Sequence, residues 1–122
     1  FDELLAAINH HGGKLRGVLH AFSRSTEVAE RFIKAGMHIG LGGAITRPTA
    51  RRVRLAAAAI PLGRIILETD APSIGLDGIL PENTEPQHMA DIAAALAQLR
   101  GVPVENIAAA TTANACRLFR IA

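Results

Sequence analysis

Tryptophan and tyrosine are absent from the 122-residue sequence, and cysteine occurs once, as Cys116. A single cysteine excludes an intramolecular disulfide and a cysteine zinc cage. No apolar run reaches the roughly 18 residues that a membrane span needs. Phe1-Asp2-Glu3 is not the basic opening of a secretory signal. The expectation is a cytoplasmic-type domain with no membrane partner. Net charge is also scarce, at +2, which is too little to argue nucleic-acid binding by itself. Apolar residues are not scarce: they make up 49% of the chain, which excludes a disordered tail. The length allows one domain at most. The chain opens on Phe1 inside a helix-like stretch, and the expectation is a piece of something longer.

The basic residues are 11 Arg and 2 Lys beside 23 Ala, a bias common in GC-rich genomes. Residues 1–63 carry a net +5 and residues 64–122 a net −3. That asymmetry provides a weak positive field for a polyanion.

Residues 1–10 read as the end of an amphipathic helix, stopped by Gly12-Gly13. Gly17-Val18-Leu19-His20 reads as a short buried strand. Ser25 suits a helix N-cap, followed by a helix to about Ala35 that Gly36 closes. Met37 to Gly42 is a second strand, and Gly40, Gly42 and Gly43 suit a close backbone approach at its end. Thr46 is the expected cap of a helix carrying Pro48 in its first turn and ending before Ile60-Pro61. Arg64 to Thr69 has the continuous apolar centre of a strand in a parallel sheet. Thr84 and Gln87 have capping-box form ahead of a helix to Arg100. Pro103 starts a last helical segment, with a break expected near Thr111-Thr112. Alternating strands and helices of this kind give an α/β fold.

His20 and Asp70 each end a strand, where sites form in parallel α/β folds. A neutral imidazole and a carboxylate are both suitable ligands for a divalent metal. Glu68 and Asp70 are two apart on a strand and share a face. Their mutual repulsion and lost hydration call for a cation or an Arg partner; alternatively, Glu68 pairs with an Arg and Asp70 caps a turn. Arg47, Arg51 and Arg54 fall on one face of the expected helix, giving either a modest phosphate-facing patch or a solvated outer face. His38 reads as packing, His88 as a residue at the site rim, and Cys116 as a buried small residue.

Four segments then carry a resemblance: GVLHAFSRS (17–25), HIGLGGAITRP (38–48), IPLGRIILETDAP (60–72) and TTANACRLF (111–119). In this order and at this spacing the chain resembles the C-terminal half of the TatD-related deoxyribonucleases, over essentially all 122 residues. The resemblance implies a (β/α)8 barrel of amidohydrolase-like type, of which residues 1–122 would supply the last three strands with their helices. It implies hydrolysis of DNA phosphodiester bonds with one or more divalent metal ions (Mg²⁺, Mn²⁺ or Zn²⁺). His20 and Asp70 would bind metal. Asp70 would also orient or deprotonate the attacking water, with Glu68 beside it as a second catalytic carboxylate. Ser23 and Ser25 would face substrate, Arg24 would either contact a substrate phosphate or be a solvated loop residue, and Asn114 would be structural.

Departures from the family pattern are as informative. Its H-x-H ligand pair after the first strand has no counterpart, nor do the glutamate and histidine from middle strands. Arg24 stands where the family has Gly, and Thr84 stands where it has Asn. Half a barrel leaves two open sheet edges. The expected partners are therefore the missing N-terminal half or a second copy of the chain, with an isolated chain that is inactive. The competing reading is a remnant domain that only packs against a partner; another amidohydrolase-like substrate is a third.

Overall fold

The computed structural model describes residues 17–68 and 88–119. The segment opens on β1 (Val18–Leu19), followed by α1 (Thr26–Lys34) and β2 (His38–Leu41). A 3-10 turn (Gly43–Thr46) leads into α2 (Arg51–Ala59), and a second (Leu62–Arg64) into β3 (Ile65–Leu67). The helices α3 (Met89–Arg100) and α4 (Val104–Phe119) complete the described chain. The strands form one parallel sheet in the order β1-β2-β3. This bears out the α/β reading.

Local chemistry sets most of these boundaries. Ser25 Oγ accepts from Val28 N at 3.4 Å and starts α1, with Glu27 in its first turn and Arg31 and Lys34 in its last. The helix ends at Gly36, whose φ of 99° lies in the left-handed region. There Met37 N donates to Phe32 O at 3.0 Å and Gly36 N to Ile33 O at 2.9 Å. This crossed pair is a Schellman motif. The same pair closes α3, from Val102 N to Ala97 O and from Gly101 N to Gln98 O, with Gly101 at φ 67°.

Two boundaries differ from the sequence expectation. Thr46 does not cap α2: its hydroxyl donates to Gly43 O at 2.6 Å within the 3-10 turn. The helix starts five residues later, at Arg51, with no side-chain cap. The break expected at Thr111 is also absent, and α4 runs unbroken. Thr111 Oγ1 donates to Ile107 O at 2.8 Å, one turn back, so its hydroxyl is satisfied without leaving the helix. The helix over residues 1–10 and the Thr84–Gln87 capping box lie outside the described residues.

The two faces of the sheet have different roles. Ile39, Leu41 and Ile65 are fully buried in one apolar cluster with Phe32, Ile45, Ile60, Ile92 and Leu96 from the helices and turns. Alternation along the strands puts Val18, His38, Gly40 and Ile66 on the opposite face. The helix layer is tied down by a contact with no sequence signal. Arg100 Nη1 donates to Ala57 O and Ile60 O, both at 2.8 Å, and so satisfies the C-terminal carbonyls of α2 from α3. Arg100→Met keeps the apolar stem and loses both bonds. It should cost about 2 kcal/mol in equilibrium urea unfolding.

Candidate functional site

The site lies at the carboxyl ends of β1 and β3. His20 follows β1 directly, and Glu68 follows β3, held to β2 by a bond from its own N to Leu41 O at 3.0 Å. The loop after β1 is fixed to β2 by Phe22 N donating to Gly40 O at 3.0 Å. This brings together two residues 48 positions apart: His20 Nδ1 lies 2.7 Å from Glu68 Oε2. The other oxygen, Oε1, accepts from Ala21 N.

An ionised carboxylate only accepts hydrogen bonds, so the hydrogen of this pair sits on Nδ1. The lone pair of a neutral ring is then on Nε2, and the His20 side chain is 80% exposed while that of Glu68 is 14% exposed. A histidine whose Nδ1–H is held by a carboxylate is the usual arrangement of a metal-ligating imidazole. The described residues therefore fit a divalent ion at Nε2. Among them no three His, Cys, Asp or Glu side chains converge, so they do not hold a complete ligand set. Asp70, the expected second ligand, lies outside the described residues.

Ala21 reaches Glu68 at a conformational cost. Its φ of 50° is in the left-handed region, and no other non-glycine residue among those described has a positive φ. A side chain there costs about 1 kcal/mol. Ala21→Gly keeps the N–H and removes the clash, so it should raise stability by about 0.5–1 kcal/mol in urea unfolding with the site intact.

The remaining candidates are distributed more widely. Ser25 is used by the α1 cap, so its hydroxyl has a structural partner where a substrate contact was expected. Ser23 and Arg24 are exposed in the loop after β1. Ser23 lines a cavity of about 300 Å³ with Ala44, Thr49, Arg51 and Arg52. The expected Arg47/Arg51/Arg54 face does not form, because α2 begins at Arg51. Arg54 instead donates to Ile45 O at 2.7 Å and braces the 3-10 turn. His88 precedes α3, and Cys116 is half-buried rather than buried. Asn114 is buried, and its Nδ2 donates to Leu62 O and Ile65 O, both at 2.8 Å. Its Oδ1 accepts from Arg117. The tie from Arg100 carries no motif in the sequence, whereas the close approach read at Gly40 is present, its partner being the Glu68 carboxylate.

No helix among the described residues is long and apolar enough to cross a membrane. Comparison with known proteins places these features in a family. Residues 1–120 match the family model described as TatD related DNase. The uncharacterized metal-dependent hydrolase YjjV of Escherichia coli is 39% identical over 120 residues, covering 98% of this chain and 46% of that protein. The crystal structure of YjjV superimposes with a TM-score of 0.90 at 38% identity, over 99% of this chain and 47% of that one. A putative deoxyribonuclease of Mus musculus is 34% identical over 102 residues, covering 84% of this chain and 33% of that protein. The chain thus spans about half the length of YjjV. The match along nearly all its residues, together with the three-strand parallel sheet shared with YjjV, shows that the chain belongs to the TatD-related DNase family.

Proposed function

We propose that this chain carries part of the metal site of a TatD-type hydrolase that cleaves phosphodiester bonds in DNA. The observation that carries this reading is the His20–Glu68 pair at the carboxyl ends of parallel strands, with Nδ1 occupied and Nε2 on an exposed ring. The family match and the printed names of the relatives support hydrolysis and metal dependence, and the name of the mouse relative supports DNA as substrate.

His20 through Nε2 and Asp70 through its carboxylate would hold the ion. When bound, such an ion supplies a Lewis acid and lowers the pKa of a coordinated water. Glu68 keeps the hydrogen on His20 Nδ1 and pins the loop through Ala21 N. In the same reading the sheet is the last three strands of a (β/α)8 barrel, with active-site loops at the carboxyl ends of the strands. Among the described residues β1 and β3 each pair on one side only, to β2. Their outer sides would be met by the rest of the barrel.

The test is hydrolysis of a fluorogenic DNA oligonucleotide by the full-length protein with Mg²⁺, Mn²⁺ or Zn²⁺, compared with a phosphomonoester and a cyclic amide. Metal-dependent turnover of DNA above the other two supports the reading. Turnover of the cyclic amide alone would reassign the substrate class.

A second reading is favoured by the described residues, among which no three ligating side chains converge and β1 and β3 each keep one unpaired edge: the 122-residue chain alone would be non-catalytic and would associate through those edges. Size-exclusion chromatography of the isolated chain should show dimers or larger species without nuclease activity. A clean monomer at low micromolar concentration would count against it.

A further inference from the structure

We propose that Gly40, Glu68 and the left-handed backbone at Ala21 form a positioning clamp that sets the His20 ring, with its hydrogen on Nδ1, for metal binding through Nε2. The inference rests on the metal-site reading above and assigns a role to β2, which contributes no reactive group.

The register places the parts. Val18 pairs with His38 and Leu19 with Ile39, so Gly40 stands level with His20. Gly40 pairs with Ile66, and Glu68 lies one step further along the same face. β1 and β3 both pair with β2, so His20 and Glu68 hang from strands about 10 Å apart. They meet across the middle strand, over Gly40.

That crossing requires empty space. A Cβ at position 40 would sit 2.7 Å from Glu68 Oε2, 2.9 Å from Cδ and 3.0 Å from Oε1. Gly40 has no positive φ, so clearance is what a side chain there would violate. The carboxylate has no neutral way to yield. One oxygen is held by His20 and the other by Ala21 N, while the Glu68 backbone is anchored to Leu41 O. A methyl group at position 40 meets the flexible end of a side chain rather than backbone. The fold tolerates the shift, and the bond to His20 does not survive it.

The carboxylate is equally specific. Both of its partners are donors in the Nδ1–H form, and only a group with two acceptor oxygens serves both. A glutamine offers one oxygen and one amino group. With its oxygen on Ala21 N, its NH₂ donates to Nδ1 and forces the hydrogen onto Nε2, the atom needed for the metal.

The test uses full-length protein and two readouts. The first is the His20 tautomer in metal-free protein, read from ¹⁵N ring shifts. The second is the affinity for Zn²⁺ and Mn²⁺, measured by chelator competition. Wild type should show Nδ1–H. Gly40→Ala and Glu68→Gln should shift His20 toward Nε2–H and weaken metal binding by about 10- to 100-fold. Gly63→Ala should change neither, since a Cβ there meets nothing within 4 Å. The Gly40→Ala/Glu68→Gln double variant should lose no more than the weaker-binding single variant, as expected for two changes acting on one contact.

Retention of Nδ1–H and wild-type affinity in both single variants overturns the clamp. If His20→Ala still abolishes binding in that case, the metal reading stands without it. If wild type binds neither ion, the metal reading falls and the tautomer measurement alone decides the clamp. If Gly40→Ala does not fold, Glu68→Gln, of nearly identical shape, decides.

Discussion

His20→Ala in the full-length protein is expected to lower metal-dependent hydrolysis of DNA about a thousandfold. Loss of one ligand from a metal that stabilises transition-state charge removes about 4 kcal/mol, and each 1.36 kcal/mol is a factor of ten in rate. The fold should be unaffected, because the side chain is 80% exposed and its one described polar partner is Glu68. Circular dichroism and the urea midpoint should therefore match wild type while kcat/KM collapses. Activity within threefold of wild type at saturating Mn²⁺ or Zn²⁺ would remove His20 from the reaction.

The second large effect is structural. Asn114→Leu should destabilise the protein by about 3–4 kcal/mol in urea unfolding. Asn114 is 1% exposed, and its amide is the donor for two backbone carbonyls, Leu62 O in the 3-10 turn before β3 and Ile65 O at the start of β3. Leucine is close in size, so little of the cost comes from a cavity. It comes from leaving buried acceptors, and the Arg117 guanidinium, without the amide that served them. Asn114→Asp separates size from chemistry further. It keeps the shape but turns a carboxylate oxygen toward two carbonyl oxygens, so at neutral pH its cost should equal or exceed that of leucine. A loss below 1 kcal/mol in both variants would show that Asn114 does not anchor β3.

Much of the fold was legible in local sequence. Val18-Leu19 and Ile65-Ile66-Leu67 are apolar runs between turn residues, Ser25 is a cap, and Gly36 and Gly101 end helices where a left-handed residue is needed. These signals act within a few residues. The start of α2 is not legible in the sequence because Thr46 has two ways to satisfy its hydroxyl, and the 3-10 bond to Gly43 O prevails over a helix cap. The candidate site was legible only in part. The strand-end positions of His20 and Glu68 could be read from the apolar runs before them, but their contact depends on the register of three strands. Gly40 signals a close approach at a strand end, but that the approaching group is the Glu68 carboxylate depends on the same register. Arg100 resembled any arginine at a helix end until α2 packed beneath it.

The crossing of β2 also has a kinetic consequence. The His20–Glu68 bond closes a 48-residue separation between two strands that share no ladder. It forms only after both β1 and β3 have docked on β2, so it belongs with the long-range contacts that loop-closure entropy delays in folding. A ligand that needs His20 held in place would select the fully docked sheet and stabilise it by mass action. Undocking of β3 alone, with every helix still intact, would release it.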